Sequence, residues 1–185
     1  EVVSKGFQAI EERLERFFVS KGKLTTKEKK DILDRIKGGT SIEEAVRDVD
    51  FVIEAVVENL ALKKDVFKKL DESVPSHAIL ASNTSYQNIS EMASVTKRLE
   101  KVVGVHFFNP VAMMRLVEVV RGARTSDEAV EVACSLAHKL GKEPVVCRDT
   151  SYGFLANRAY MGMMNEVVQM VWEKVTSPEN IDKAL

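Results

Sequence analysis

Val3, Phe7, Ile10, Leu14, Phe17 and Phe18 recur at intervals of three and four with charged residues between them, which predicts an amphipathic helix from Val2 to Phe18 ending near Gly22. The same period predicts a second helix from Thr26 to Ile36, stopped by Gly38-Gly39, and a short third one from Ser41 to Val46. Beyond Asp50 the pattern changes to apolar runs alternating with helical segments. Asp50-Phe-Val-Ile-Glu-Ala-Val, Ala78-Ile-Leu-Ala-Ser, Lys101-Val-Val-Gly-Val-His-Phe-Phe, Leu116 to Val120 and Pro144-Val-Val-Cys read as strands. Between them Leu60 to Leu70, with Lys and Asp on its wet face, Ile89 to Val95, and Ser126 to Leu140, stopped by Gly141, read as helices. Strands that are continuous Val/Ile/Leu runs separated by helices predict a mostly parallel sheet covered on both faces, the α/β class. From Tyr152 the alternation ends: Phe154 to Val175 reads as one long, methionine-rich helix, and Ser177-Pro178-Glu179 as the cap of another. The expected organisation is therefore an α/β portion over residues 1–149 and the start of an all-helical domain over residues 150–185.

In an open parallel sheet, ligands bind beyond the carboxyl ends of the strands. Those ends are polar here: the first strand runs into Glu54 and Glu58, the second into Ser82-Asn83-Thr84-Ser85, the third into His106 and Asn109. One such end is ordinary turn chemistry; three in succession suggest a site. His106 alone could satisfy a backbone carbonyl. Glu118, however, interrupts Leu-Val-Glu-Val-Val, and alternation places it on one face with Leu116 and Val120. A carboxylate inside such a strand loses hydration, which costs several kcal/mol unless a partner compensates. An imidazole on the neighbouring segment is the natural partner, and a carboxylate there fixes the tautomer and raises the basicity of a histidine, as a general base near neutral pH requires. The alternative is an edge-strand Glu118 facing water. Ser85 and Asn83 could likewise cap the helix near Ile89, Asn157 could be a polar residue early in a long helix, Lys63 could be solvated surface, and the methionines from Met161 to Met170 could pack a core or a dimer.

The 185 residues, 45% apolar and 30% charged, have a soluble globular composition large enough to bury a core without disulfides. With 27 basic against 28 acidic side chains, the net charge of -1 argues against a nucleic-acid partner. The longest apolar stretches are strand-length, far short of the roughly 20 residues a membrane-spanning helix needs. The N-terminus opens on a charged amphipathic pattern rather than a secretory signal. Cys134 and Cys147 show no metal-type spacing with the three histidines and are expected to be buried, reduced residues of a cytoplasmic protein with no metal site.

Ala81-Ser-Asn-Thr-Ser, Gly104-Val-His-Phe-Phe-Asn-Pro, Leu116-Val-Glu-Val-Val-Arg-Gly and Gly153-Phe-Leu-Ala-Asn-Arg, in this order and spacing, resemble the 3-hydroxyacyl-CoA dehydrogenase family, and the similarity runs the length of the chain. The resemblance implies a Rossmann-like sheet followed by a helical domain, NAD as cofactor, an acyl-CoA substrate and a homodimer formed through the helical domain. It further implies oxidation of (S)-3-hydroxyacyl-CoA to 3-oxoacyl-CoA, in fatty acid β-oxidation or related acyl-CoA metabolism. On this likeness His106 is the base and acid for the 3-hydroxyl proton, and Glu118 orients and supports it. Ser85 and Asn157 hydrogen-bond the reacting oxygen, while Glu58, Lys63, Asn83 and Asn109 approach the cofactor. Two departures stand out. The nine glycines form no Gly-x-Gly-x-x-Gly turn, and the sequence begins at the helix that in this family follows the second strand, so a chain of these residues alone is expected to lack the pyrophosphate cradle. Asp149-Thr-Ser-Tyr-Gly-Phe stands where the family has a shorter Pro-Gly turn, so Ser151-Tyr152 read as a one-residue expansion beside Asn157. A noncatalytic, crystallin-like relative is the second reading. The histidine and buried carboxylate favour the enzyme.

Overall fold

The computed structural model describes residues 1–150 and 152–185, and Ser151 of the expected expansion lies outside the described residues. The chain forms two compact units, Glu1–Asp48 and Val49–Leu185, a division the sequence pattern does not announce.

In the first unit, α1 (Val2–Leu14) continues into a wider π turn over Glu15–Val19. There Ser20 N–H bonds to Glu15 O at 2.9 Å and Lys23 N–H to Phe18 O at 2.8 Å, each spanning five residues. Gly22, at φ +66°, ends the run as expected. A capping box opens α2 (Thr26–Leu33): Glu28 N–H reaches Thr25 Oγ1 at 3.2 Å, and Thr25 N–H reaches Glu28 Oε2 at 2.7 Å. This helix stops at Leu33, short of the expected Ile36. Lys29 ties it to α1 through Glu11 at 3.3 Å and Glu15 at 3.0 Å. Ser41 caps α3 (Ile42–Ala45).

The second unit holds one five-stranded sheet in the order β1-β2-β3-β4-β5, with β1 (Phe51–Glu54), β2 (Ile79–Ser82), β3 (Val102–Phe107), β4 (Leu116–Arg121) and β5 (Glu143–Arg148). All five lie where the apolar runs predict. The pairs β1–β2, β2–β3 and β4–β5 are parallel, joined through α4 (Leu60–Ser73), α5 (Ile89–Ala93) and α6 (Asp127–Lys139). β3 and β4 are antiparallel. The eight residues from 108 to 115 contain no helix and are too few for the crossover a parallel partner needs, so the chain turns back on itself. Side chains of Asn59, Asn88 and Ser126 cap α4, α5 and α6, so Asn88 takes the capping role considered for Asn83 and Ser85.

Alternation divides the sheet into two faces. Ile79, Ala81, Val103, Val105, Val117 and Val119 pack against Ala129, Val130, Ala133 and Ala137 of α6. On the opposite face stand Gly104, His106, Glu118 and Val120. A Cβ on Gly104 would meet Val120 Cβ at 2.7 Å and Ile89 Cδ1 at 2.9 Å, so glycine lets α5 seat on the strand.

One expectation is corrected. Cys134 and Cys147 are free but half-buried rather than buried; burial raises both thiols, and with the Glu118 and Asp149 charges pushes Cys147 up to about 11. Lys63, for which solvated surface was the alternative to an approach to the cofactor, is 1% exposed, which removes that alternative. Farther on, α7 (Ala156–Trp172) and α8 (Pro178–Ala184) follow Gly153 at φ +80° and Phe154 at φ 52°, left-handed positions that delay the helix start to Ala156. Met161 and Met163 are exposed on α7. Among the described residues, no helix is long and apolar enough to cross a membrane.

Candidate active site

His106 and Glu118 are register partners on β3 and β4, and directly opposed residues of an antiparallel pair project to the same face. The imidazole Nδ1 lies 2.8 Å from Glu118 Oε2. Phe108 and Phe154 enclose the ring, with centroids at 4.5 Å and 5.9 Å. Glu118 is 0% exposed, and its second oxygen, Oε1, accepts from the backbone N–H groups of Ala156 at 2.7 Å and Leu155 at 3.1 Å. The carboxylate of β4 thus caps α7, whose own N-cap, Leu155, offers no side-chain acceptor. Burial pushes the Glu118 carboxyl up, but the His106 hydrogen bond, the Ala156 amide, the His106 charge and the Leu155 amide together hold it below the usual carboxylate range. An ionised Glu118 can only accept, so the imidazole donates Nδ1–H and its neutral tautomer carries a lone pair on Nε2. Nδ1 is thus committed to Glu118, while Nε2 makes no hydrogen bond among the described residues; the residue as a whole is 4% exposed.

A second polar cluster sits at the ends of β1 and β2. Lys63 Nζ, on the first turn of α4, meets Glu54 Oε1 at 2.9 Å, Glu54 Oε2 at 3.2 Å, Glu58 Oε2 at 3.2 Å and the Val56 carbonyl at 3.2 Å. Glu54 also accepts from the Ser82 hydroxyl at 2.6 Å and the Val56 amide at 2.6 Å. Glu58 accepts from the Thr84 hydroxyl and from the amides of Ser85 at 3.0 Å and Tyr86 at 3.1 Å. Burial raises its carboxyl, and the Thr84 hydroxyl, the Lys63 ammonium and the Ser85 amide more than offset this, holding it below the usual range. A single buried ammonium thereby orders the loop after β1 and, through Glu58, the loop after β2.

Of the residues singled out in the sequence, Asn83 joins the two clusters: its Oδ1 accepts from Phe107 N–H at 2.9 Å, the residue after His106. Ser85 is half-buried and held through its amide. Asn157, half-buried, follows the amides that Glu118 caps. Asn109 is exposed and makes no hydrogen bond to this group among the described residues. Glu54, Ser82 and Thr84 were visible as polar strand ends without a role. The Leu155 and Ala156 donors are backbone groups and leave no trace in sequence.

A mostly parallel sheet with polar strand ends, followed by helices, defines a Rossmann-like domain followed by a helical region. The chain belongs to the 3-hydroxyacyl-CoA dehydrogenase family: the family model described as 3-hydroxyacyl-CoA dehydrogenase, NAD binding domain, matches residues 1–150, and that of the C-terminal domain matches residues 153–185. Relatives include the 3-hydroxybutyryl-CoA dehydrogenase of Clostridioides difficile, 45% identical over 90% of this chain and 59% of that protein. The mitochondrial hydroxyacyl-coenzyme A dehydrogenase of Sus scrofa is 38% identical over 100% of this chain and 60% of that protein. The crystal structure of (S)-3-hydroxybutyryl-CoA dehydrogenase from Ralstonia eutropha superposes with a TM-score of 0.92 at 41% identity, covering 97% of this chain and 62% of that one. The chain thus spans about three fifths of the length of these relatives.

Proposed function

We propose that the protein to which this chain belongs oxidises (S)-3-hydroxyacyl-CoA to 3-oxoacyl-CoA with NAD, and that short acyl chains such as 3-hydroxybutyryl are accepted. The observation that carries this reading is the buried His106–Glu118 pair at 2.8 Å, with Nδ1 committed to the carboxylate and Nε2 without a hydrogen-bond partner among the described residues. His106 Nε2 takes the proton of the 3-hydroxyl and returns it in the reverse direction. Glu118 holds the ring in the competent tautomer and offsets the imidazolium charge while the proton resides there. Ser85 and Asn157 donate hydrogen bonds to the reacting oxygen.

Glu58, Asn83 and Asn109 fit the ribose and amide groups of a nicotinamide nucleotide, since they offer acceptors and donors at three adjacent strand ends; Lys63, its contacts satisfied inside, acts through Glu58. Bound NAD supplies the hydride acceptor. The exposed apolar residues of α7, among them Met161, Val168 and Trp172, support self-association through the helical domain. The free, half-buried cysteines support a reducing compartment such as the cytoplasm, and acyl-CoA chemistry of this kind supports a place in β-oxidation or related acyl-CoA metabolism. The test is NADH formation by the purified full-length protein with (S)-3-hydroxybutyryl-CoA and NAD. Turnover supports the assignment; a folded protein that binds the acyl-CoA without oxidising it would favour the noncatalytic relative.

A further inference from the structure

Ser85 and Asn157, assigned above to one substrate oxygen, belong to different elements. The loop bearing Ser85 is fixed from beneath: Glu58 accepts from the Thr84 hydroxyl and the Ser85 and Tyr86 amides, and Thr84 Oγ1 accepts from the amides of Tyr86 at 3.3 Å and Gln87 at 2.9 Å. The segment leading to Asn157 is fixed independently, by Glu118 on the Leu155 and Ala156 amides and by Phe154 edge-on to the imidazole. What joins the first to the second is a pair of rings. Tyr86 and Tyr152 stack with centroids 4.6 Å apart and planes 19° from parallel. Tyr86 follows Ser85 directly, and Tyr152 lies five residues before Asn157. Tyr152 is 69% exposed, so no core holds it; the face of Tyr86 does. Among the described residues a further tie between these segments, the Asp149 carboxylate on Ser90 N–H at 2.9 Å, lies beyond the far end of the loop.

We propose that Tyr86 and Tyr152 are a positioning pair, whose stack holds the Ser85 loop and the Asn157 segment in register over the reacting oxygen. The proposal rests on the function given in the preceding section. Neither ring touches the reacting atoms. Each acts by limiting how far one hydrogen-bond donor drifts from the other, and donors displaced by a fraction of an ångström lose much of their effect on a developing charge.

The experiment is a double-mutant cycle in the full-length protein, reading kcat, KM and the pH profile for (S)-3-hydroxybutyryl-CoA oxidation in Tyr86→Ala, Tyr152→Ala, the double variant, Tyr86→Phe and Tyr152→Phe, with His106→Gln alongside. Each alanine variant is expected to lower kcat about 3- to 10-fold, the range one aromatic pair provides. The double variant should fall no lower than the worse single one, because the second ring has nothing left to hold. The phenylalanine variants keep the stack and should stay within about twofold of the parent, and the shape of the pH profile should not change. Alanine variants with parental kcat, a double variant whose loss is the product of the single losses, or phenylalanine variants as impaired as alanine would each overturn the proposal. If the parent oxidises no 3-hydroxyacyl-CoA, or His106→Gln is fully active, the reading of the preceding section fails and this role falls with it.

Discussion

Replacing Glu118 by Gln tests the geometry of the site at its most constrained point. The carboxylate, 0% exposed, accepts three N–H groups: His106 Nδ1 at 2.8 Å, Ala156 N at 2.7 Å and Leu155 N at 3.1 Å. Glutamine brings one oxygen and one NH2. If its oxygen stays on the two helix amides, the NH2 faces the imidazole, which must present its lone pair at Nδ1 and carry its proton on Nε2, where a base needs none. If it turns over, Nδ1–H is kept and the NH2 confronts two backbone donors at the start of α7. Hydrogen bonds to a charged group contribute about 1.5–3 kcal/mol against about 0.5–1.5 for neutral ones, so exchanging three is expected to cost roughly 3 kcal/mol. At about 2–4 °C per kcal/mol for a chain of this size, Tm falls by roughly 6–12 °C. NADH formation should show kcat lower by about 100- to 10,000-fold, the loss of a general base in the competent tautomer.

The pH dependence has a definite sign. Glu118 is held below the usual carboxylate range, because the His106 and amide hydrogen bonds outweigh its burial, so its contribution is present above the unfolded value and is lost as pH falls through the lower folded one. The Tm difference between the parent and Glu118→Gln should therefore be full near neutral pH and shrink in acid below the ordinary carboxylate range. A variant with kcat within about threefold of the parent and a Tm difference independent of pH would refute the reasoning.

Lys63→Met removes the ammonium from between two carboxylates and leaves the buried Glu54 side chain without its ion-pair partner; stability should fall by about 3–5 kcal/mol in thermal or urea unfolding, and a loss below about 1 kcal/mol would show that the Lys63 contacts contribute little to the fold. A polypeptide limited to residues 1–185 should bind NADH poorly, since its nine glycines form no Gly-x-Gly-x-x-Gly cradle for the pyrophosphate; micromolar affinity in a calorimetric titration would contradict this.

The strands were legible because strands of a mostly parallel sheet are short apolar runs, and those runs lie where β1 to β5 lie, including the partly exposed β1 and β5 at the sheet edges. The reversal of β4 was not read from the residues, although the length of the connection before it contained the answer. The His106–Glu118 contact was legible through a single irregularity, a carboxylate in an apolar strand, which only a partner can compensate. For Lys63 the sequence left solvated surface open as an alternative, because a lysine at helical spacing among charged neighbours has the pattern of a wet face; its burial follows from Glu54 and Glu58 arriving from another element. The cap that Glu118 places on α7 was invisible, as backbone donors carry no side-chain signature. Tyr86 and Tyr152 lie 66 positions apart, and nothing local indicates that their rings meet.

The central claim is that His106 moves the proton while Glu118 only holds the ring. It is tested most directly by His106→Gln in the full-length protein, with the rate of (S)-3-hydroxybutyryl-CoA oxidation and the Kd for the same acyl-CoA measured on one preparation. The expected result is a kcat depressed about 100- to 10,000-fold with binding of the acyl-CoA within about threefold of the parent, the signature of a group needed in the transition state rather than for affinity. A His106→Gln protein that oxidises the substrate at the parental rate would contradict the account.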